Sequence, residues 1–185
     1  TYVQRNILTP LGMSRSYFNL TPRALAKDRS NNYTVSVDAG GQETVKANGR
    51  EFDTGITTPN GGLNAPLDDL VRWVGFLTGS DPKPSRPIIS RASLEEMWRP
   101  VVPVNAEPDR LQSMGLSFYR DSRTLPSGTI TFISHTGRQA GFRAFLEFNQ
   151  SNGRAGIAAF NTAHDSGHNE AEDKAAQRSF DGYRA

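Results

Sequence analysis

Residues 129–149 read Thr129-Ile130-Thr131-Phe132-Ile133-Ser134-His135-Thr136-Gly137-Arg138-Gln139-Ala140-Gly141-Phe142-Arg143-Ala144-Phe145-Leu146-Glu147-Phe148-Asn149. Ile130, Phe132 and Ser134 alternate with Thr131, Ile133 and His135, and alternation resumes from Phe142 to Phe148. Two period-2 runs around a short glycine-bearing turn predict a β-hairpin. Its first strand is expected to end in His135-Thr136-Gly137. That tripeptide joins a titratable imidazole, a hydroxyl and a residue whose missing Cβ lets a ligand approach the backbone closely. It makes a candidate wall for an active site.

Working outward, residues 154–161 supply a further strand through Ile157 and Phe160, and Met114, Leu116 and Phe118 start a strand before the hairpin. Residues 101–111 read as a loop. The result is a mainly antiparallel sheet of about four strands. Leu67, Leu70, Val71, Val74 and Leu77 recur at helical spacing, predicting a helix with one apolar face. Pro66 opens it, Asp68 and Asp69 suit its positive end, and Gly79 closes it. A second helix is capped by Ser90, packs through Leu94, Met97 and Trp98, and ends before Pro100. The fold class is therefore α/β (α+β), with helices flanking the sheet.

The flanks are less regular. Tyr2, Val3 and Ile7 share one face of a short helix that Pro10 is expected to stop, after which Met13 and Phe18 are the expected core plugs. Within residues 24–56, Tyr33, Val35 and Val37 alternate as a strand, Gly40-Gly41 signals a turn, and Val45 begins a return strand ending at Asn48-Gly49. This irregular hairpin or meander is expected to pack beside the site, covering the core or, as the alternative, selecting substrate. Residues 163–185 read as a terminal helix, with propensity strongest over 169–181, or as a tail.

Composition narrows the function classes. With 185 residues the chain fits one domain able to bury a core. The 21 Lys and Arg are interspersed with 19 Asp and Glu, giving a net charge of +2 without a basic stripe, so nucleic acid is not expected as a partner. The absence of cysteine excludes disulfides and thiolate metal sites. No apolar run approaches the ~20 residues of a membrane span.

Three segments in this order, Pro10-Leu11-Gly12-Met13, the run from Thr58-Pro59-Asn60-Gly61-Gly62 to Trp73, and His135-Thr136-Gly137, resemble the serine β-lactamase-like superfamily: class C β-lactamases, D-Ala-D-Ala peptidases and related esterases and peptidases. The resemblance covers roughly residues 1–161. It implies a β-lactamase/transpeptidase-like fold, incomplete here, with residues 1–185 a single domain forming the C-terminal portion of a larger one. In such proteins a Pro-Leu-Gly-Met segment follows the Tyr-x-Asn motif, so the resemblance sets Thr1 downstream of two catalytic motifs.

By the same resemblance His135 stands where penicillin-recognising members carry the lysine of Lys-Thr-Gly, and several esterase-like relatives carry histidine. Thr136 would hydrogen-bond a substrate carboxylate or carbonyl, Gly137 would keep the strand edge open, and the backbone NH of Arg138 would be an oxyanion-hole donor. Lysine stays charged at neutral pH whereas histidine as a residue type titrates there. The exchange therefore implies weaker recognition of carboxylate-bearing β-lactams and a preference for ester or peptide substrates.

Two motif matches are rejected. Ser80-x-x-Lys83 imitates the nucleophile motif, whose chemistry needs one helical turn to bring the amine beside the hydroxyl. Pro82 and Pro84 forbid that helix. Tyr17-x-Asn19 falls behind Pro10-Leu11-Gly12-Met13, the wrong order along the chain. His164, Asp165 and His168 lack a third strong ligand and read as a loop, so no metal or cofactor is expected. The expected partners are the N-terminal segment that would carry serine, lysine and tyrosine, and a small ester, peptide or β-lactam substrate. The chain alone is expected to be inactive. A non-catalytic relative that binds a ligand or a protein is the alternative.

Overall fold

The computed structural model describes residues 1–49, 53–80 and 83–164, together with Lys174 and Arg178. In chain order its strands are β1 (Tyr17–Phe18), β2 (Tyr33–Val37), β3 (Glu43–Ala47), β4 (Leu63–Asn64), β5 (Val102–Glu107), β6 (Arg110–Met114), β7 (Tyr119–Leu125), β8 (Gly128–Gln139), β9 (Phe142–Asn149), β10 (Ala155–Phe160) and β11 (Thr162–His164). The α-helices are α1 (Thr9–Leu11), α2 (Thr58–Gly61), α3 (Leu67–Thr78) and α4 (Arg91–Trp98). Six strands form one sheet in the order β10-β9-β8-β7-β6-β5, a second sheet runs β11-β2-β3, and β1 pairs with β4. The chain divides into two compact units, residues 1–14, 67–135 and 146–157 in the first and 15–66, 136–145 and 158–185 in the second.

The first unit is built around an aromatic core. Leu77 of α3 and Leu94 and Trp98 of α4 pack with Phe118, Ile133 of β8 and Phe148 of β9. The Trp98 ring meets Phe148 edge-on at 5.1 Å and Phe118 at 6.4 Å. Each such side chain contributes roughly 1.5–3 kcal/mol on burial. Ser90 caps α4 by accepting from the Ser93 amide at 3.1 Å, as its sequence predicts. Gly115 is required where the chain passes α4, because a Cβ there would stand 2.4 Å from the Met97 carbonyl oxygen.

Helix α3 is rotated relative to its sequence reading. Val71 and Leu67 are exposed at 58% and 50%, while Asp69, Val74, Gly75 and Leu77 are buried. Leu70, Val74 and Leu77 keep the inward stripe, whose centre lies nearer Trp73 and Phe76 than the i, i+4 count suggests.

Pro10 does not stop the first helix. A π-helical run, Gln4–Leu8, continues into α1, which contains Pro10 and ends at Gly12 with φ 71°. In the i→i+5 register the missing Pro10 N–H would have served the carbonyl of Arg5. The Arg86 guanidinium donates to that carbonyl instead, at 2.5 Å, so the proline leaves no orphan acceptor. Met13 is buried as expected, whereas Phe18, in the second unit, is only half-buried.

The sheet has six strands where sequence periodicity gave four, because residues 101–111 are no loop. They hold β5 and most of the β5–β6 hairpin, with a register shift between Pro103 and Asn105. All of β5 is exposed and it lies at the sheet edge, where a proline and a bulge are tolerated and no apolar alternation is required. Likewise Leu116 lies in a turn, and the strand begins only at Tyr119, in the polar run Tyr119-Arg120-Asp121-Ser122.

In the second unit the predicted hairpin of Tyr33, Val35 and Val37 with Val45 is present as β2–β3, in register from Tyr33↔Ala47 to Val37↔Glu43. Asp38 closes its turn by accepting from the Gly40 and Gln42 amides, each at 2.9 Å. Strand β11 adds in parallel to β2. The terminal helix or tail expected over 163–185 is corrected at its start, where Ala163 and His164 belong to β11; beyond them only Lys174 and Arg178 are described. Among the described residues no helix is long and apolar enough to cross a membrane.

Candidate active-site strand

Strand β8 carries every site residue named from the sequence. It runs to Gln139, two residues past Gly137, so His135-Thr136-Gly137 lies within the strand and not at its end. Strand β7 pairs with β8 from Leu125↔Gly128 to Tyr119↔Ser134. Beyond that last pair β8 continues through His135, Thr136, Gly137 and Arg138, all exposed. Successive residues of a strand turn their backbone groups to opposite edges, so this run presents N–H and C=O groups past the reach of β7. A Cβ at Gly137 would meet nothing within 4 Å, leaving room for a ligand against the backbone.

Each half of the run has a contact within its own unit. In the first, the His135 ring lies 6.3 Å from that of Tyr119, tilted by 40°. In the second, the Arg138 guanidinium donates to the carbonyl of His164 on β11. That contact draws the arginine side chain back onto β11 while its backbone amide stays in the strand.

The turn that follows is Ala140-Gly141, with φ 45° and 87°. A two-residue hairpin turn with both φ positive matches the twist of the flanking strands. Gly141 has a further reason to be glycine, since a Cβ would stand 2.7 Å from both the Tyr33 carbonyl oxygen and Asn48 Nδ2. The Ala140 carbonyl accepts from the side-chain amides of buried Asn32 and of Asn48, the latter at 3.0 Å. Arg29 lies over the Phe142 ring at 5.8 Å.

The charged cluster of the first unit sits on β6 and β7. Asp121, buried, accepts from Arg110 Nε at 3.0 Å on Oδ1 and 3.2 Å on Oδ2 and from Nη2 at 2.7 Å, and from Arg123 at 3.1 Å. Burial is the largest single influence on its carboxyl and opposes ionisation. The hydrogen bonds and charges of the two arginines together outweigh it and hold the group below the usual carboxylate range. Arg110 is raised in turn, first by its hydrogen bond to Asp121.

Ser80 and Lys83 are not arranged as a catalytic pair. Ser80 follows the end of α3, its hydroxyl accepts from Thr78 at 3.0 Å, and the Lys83 ammonium donates to the carbonyl of Gly79. Tyr17 shares a 2.8 Å hydrogen bond with Thr21, and Asn19 occupies a turn with φ 68°. His164 lies on β11; Asp165 and His168 lie outside the described residues. Among the described residues no three potential ligands cluster as a metal site.

Sequence reasoning missed Asn32, Asn48 and the Arg110–Asp121–Arg123 cluster. The first two are far from the turn in sequence, and only the Ala140-Gly141 pair, lacking the asparagine that favours such a turn, hinted that the turn needs outside support. The cluster is spread over two strands whose polar sequences concealed them.

The Beta-lactamase family model matches residues 1–179. No curated protein matches the chain. Among solved structures, the octameric penicillin-binding protein homologue from Pyrococcus abyssi superposes with a TM-score of 0.66 at 21% identity, covering 88% of this chain and 33% of that one. The D-alanine carboxypeptidase AmpC from Burkholderia cenocepacia gives 0.64 at 20% identity over 97% of this chain and 54% of its own. A D-stereospecific amidohydrolase from Streptomyces gives 0.64 at 18%, over 97% and 47%. These likenesses establish a shared fold, and the chain spans between a third and about half of each neighbour. The exposed strand and the mixed architecture thus meet in one assignment: the chain belongs to the beta-lactamase family.

Proposed function

We propose that this chain is the C-terminal portion of a serine hydrolase working through a covalent acyl-enzyme, with the run from His135 to Arg138 forming one border of its active site. The serine, lysine and tyrosine that perform the chemistry lie on another segment of the protein, and the 185 residues are inactive alone. The observation that carries this reading is the exposed continuation of β8 past Tyr119↔Ser134 in a chain of the beta-lactamase family.

On this border the Arg138 amide is one of two donors to the oxyanion of the tetrahedral intermediate, a contribution of roughly 3–4 kcal/mol to the transition state. Thr136 hydrogen-bonds a substrate carbonyl or carboxylate, and Gly137 lets the extended substrate lie against the strand. His135, in the lysine position of the family's penicillin-recognising members, shifts preference toward esters and peptides. Neighbours named as a carboxypeptidase and an amidohydrolase support an acyl-transfer reaction.

The test is turnover by the longer protein that contains this chain. A p-nitrophenyl ester or D-amino-acid amide is expected to be hydrolysed faster than benzylpenicillin, with His135→Ala lowering kcat/KM about tenfold or more. Rapid benzylpenicillin hydrolysis indifferent to His135→Ala would refute the role of the histidine. Absence of any acyl-enzyme would favour a ligand- or protein-binding relative.

A further inference from the structure

We infer that Asn32 and Asn48 are positioning residues for the oxyanion donor, gripping the β8–β9 turn so that the Arg138 amide keeps its place; the functional half of this inference rests on the reading above. Ala140-Gly141 must adopt two positive φ angles, 45° and 87°. Alanine is poorly suited to the first of these, so the turn does not hold itself as Asn-Gly would.

The grip comes from elsewhere in the second unit. Both asparagines donate to the single carbonyl of Ala140, filling its two lone pairs. Their own placement is determined by the β2–β3 hairpin. The Asn48 backbone amide donates to the Asn32 carbonyl at 2.9 Å, one step beyond the Tyr33↔Ala47 pair. The Thr34 hydroxyl donates to Asn48 Oδ1 at 2.8 Å, which turns the Nδ2 amide toward Ala140.

Asn32 is 97% buried, with a relative exposure of 3%, so its amide cannot exchange Ala140 for water. Arg138 is two residues from this carbonyl, and its guanidinium is anchored to His164 on β11, the other neighbour of β2. The segment from Arg138 to Ala140 is thereby referenced at two points to one three-stranded sheet. An oxyanion donor must stay within a few tenths of an ångström of its working distance, and this arrangement supplies that constancy from a sheet that contributes no group to the chemistry.

The deciding variant is Asn48→Asp, which keeps the acceptor for Thr34 but points a carboxylate oxygen at the Ala140 carbonyl; Asn48→Ala, which removes the donor to Ala140 together with the acceptor for Thr34, serves if the first fails to fold. Hydrogen exchange of the peptide covering residues 136–145 is expected to accelerate about tenfold, with β6 and β7 unchanged. In the longer protein kcat for ester hydrolysis is expected to fall about tenfold with KM within twofold, since the donor acts on the transition state. Conservative Asn48→Gln is expected to restore part of kcat.

Unchanged exchange in the 136–145 peptide would overturn the grip itself. Faster exchange with unchanged kcat would overturn the positioning role while leaving the proposed function standing. If the unaltered longer protein turns over no ester, it is the proposed function that fails, and the exchange result alone then decides whether the turn is gripped.

Discussion

The two halves of β8 obey opposite rules although they are one continuous strand. From Gly128 to Ser134 the strand is paired with β7, and Phe132 and Ile133 are buried in the first unit. From His135 to Arg138 every residue is exposed and the partnership with β7 has ended. The first half gains its free energy from apolar area removed from water. The second half leaves backbone groups beyond the pairing with β7, and its Arg138 side chain reaches out to the His164 carbonyl. The strand is thus a buried stability element followed by an exposed one with no β7 partner, and substitutions should separate the two.

The largest separation is expected from Ile133→Ala. Ile133 is fully buried among Trp98, Phe118 and Phe148, and truncation in such a core costs about 2–5 kcal/mol through lost burial and the cavity left behind. Denaturant unfolding of the variant measures it. A loss under 1 kcal/mol would mean the core has collapsed around the site and the first half is not the anchor described.

Next comes Asp121→Asn, expected to destabilise by about 1–2 kcal/mol, less than a fully buried pair because both arginines are about one-third exposed. The pH dependence has a definite sign. The Asp121 carboxyl is held below its unfolded value, so its contribution is present above about pH 4 and is lost as the pH falls through the lower folded value. The variant should therefore show a flatter acid limb below pH 4. An acid limb identical to that of the parent would show that other carboxylates set it.

Ala140→Gly is expected to stabilise by about 0.5–1 kcal/mol, because alanine at φ 45° is strained and glycine is not. Thr136→Ala, on the exposed run, should change stability by less than about 0.5 kcal/mol while lowering turnover in the longer protein. If Thr136→Ala proved as destabilising as Ile133→Ala, the contrast between the two halves of the strand would be gone.

Much of this was legible in the sequence wherever apolar periodicity carried the signal. The β8–β9 hairpin, α3 and the Ser90-capped α4 are read directly from spacing and caps, and His135-Thr136-Gly137 stood out because histidine and glycine interrupt an otherwise apolar alternation. Strands β5, β6 and β7 were obscured because an exposed edge strand needs no apolar face, and because Asp121 is buried with arginine partners in place of hydrocarbon. Pro10 misled because the compensating donor, Arg86, lies 81 residues away from Arg5. Asn32 and Asn48 were hidden for the same reason, their partner Ala140 being 108 and 92 residues distant.

These residues are proposed to hold a border of the site and not its nucleophile. A fluorophosphonate probe followed by intact-mass measurement tests this on the 185-residue chain and on the longer protein side by side. A single stoichiometric adduct is expected on the longer protein and none on the chain alone. Stoichiometric labelling of the chain itself, mapped to Ser80 or any other of its serines, would contradict it.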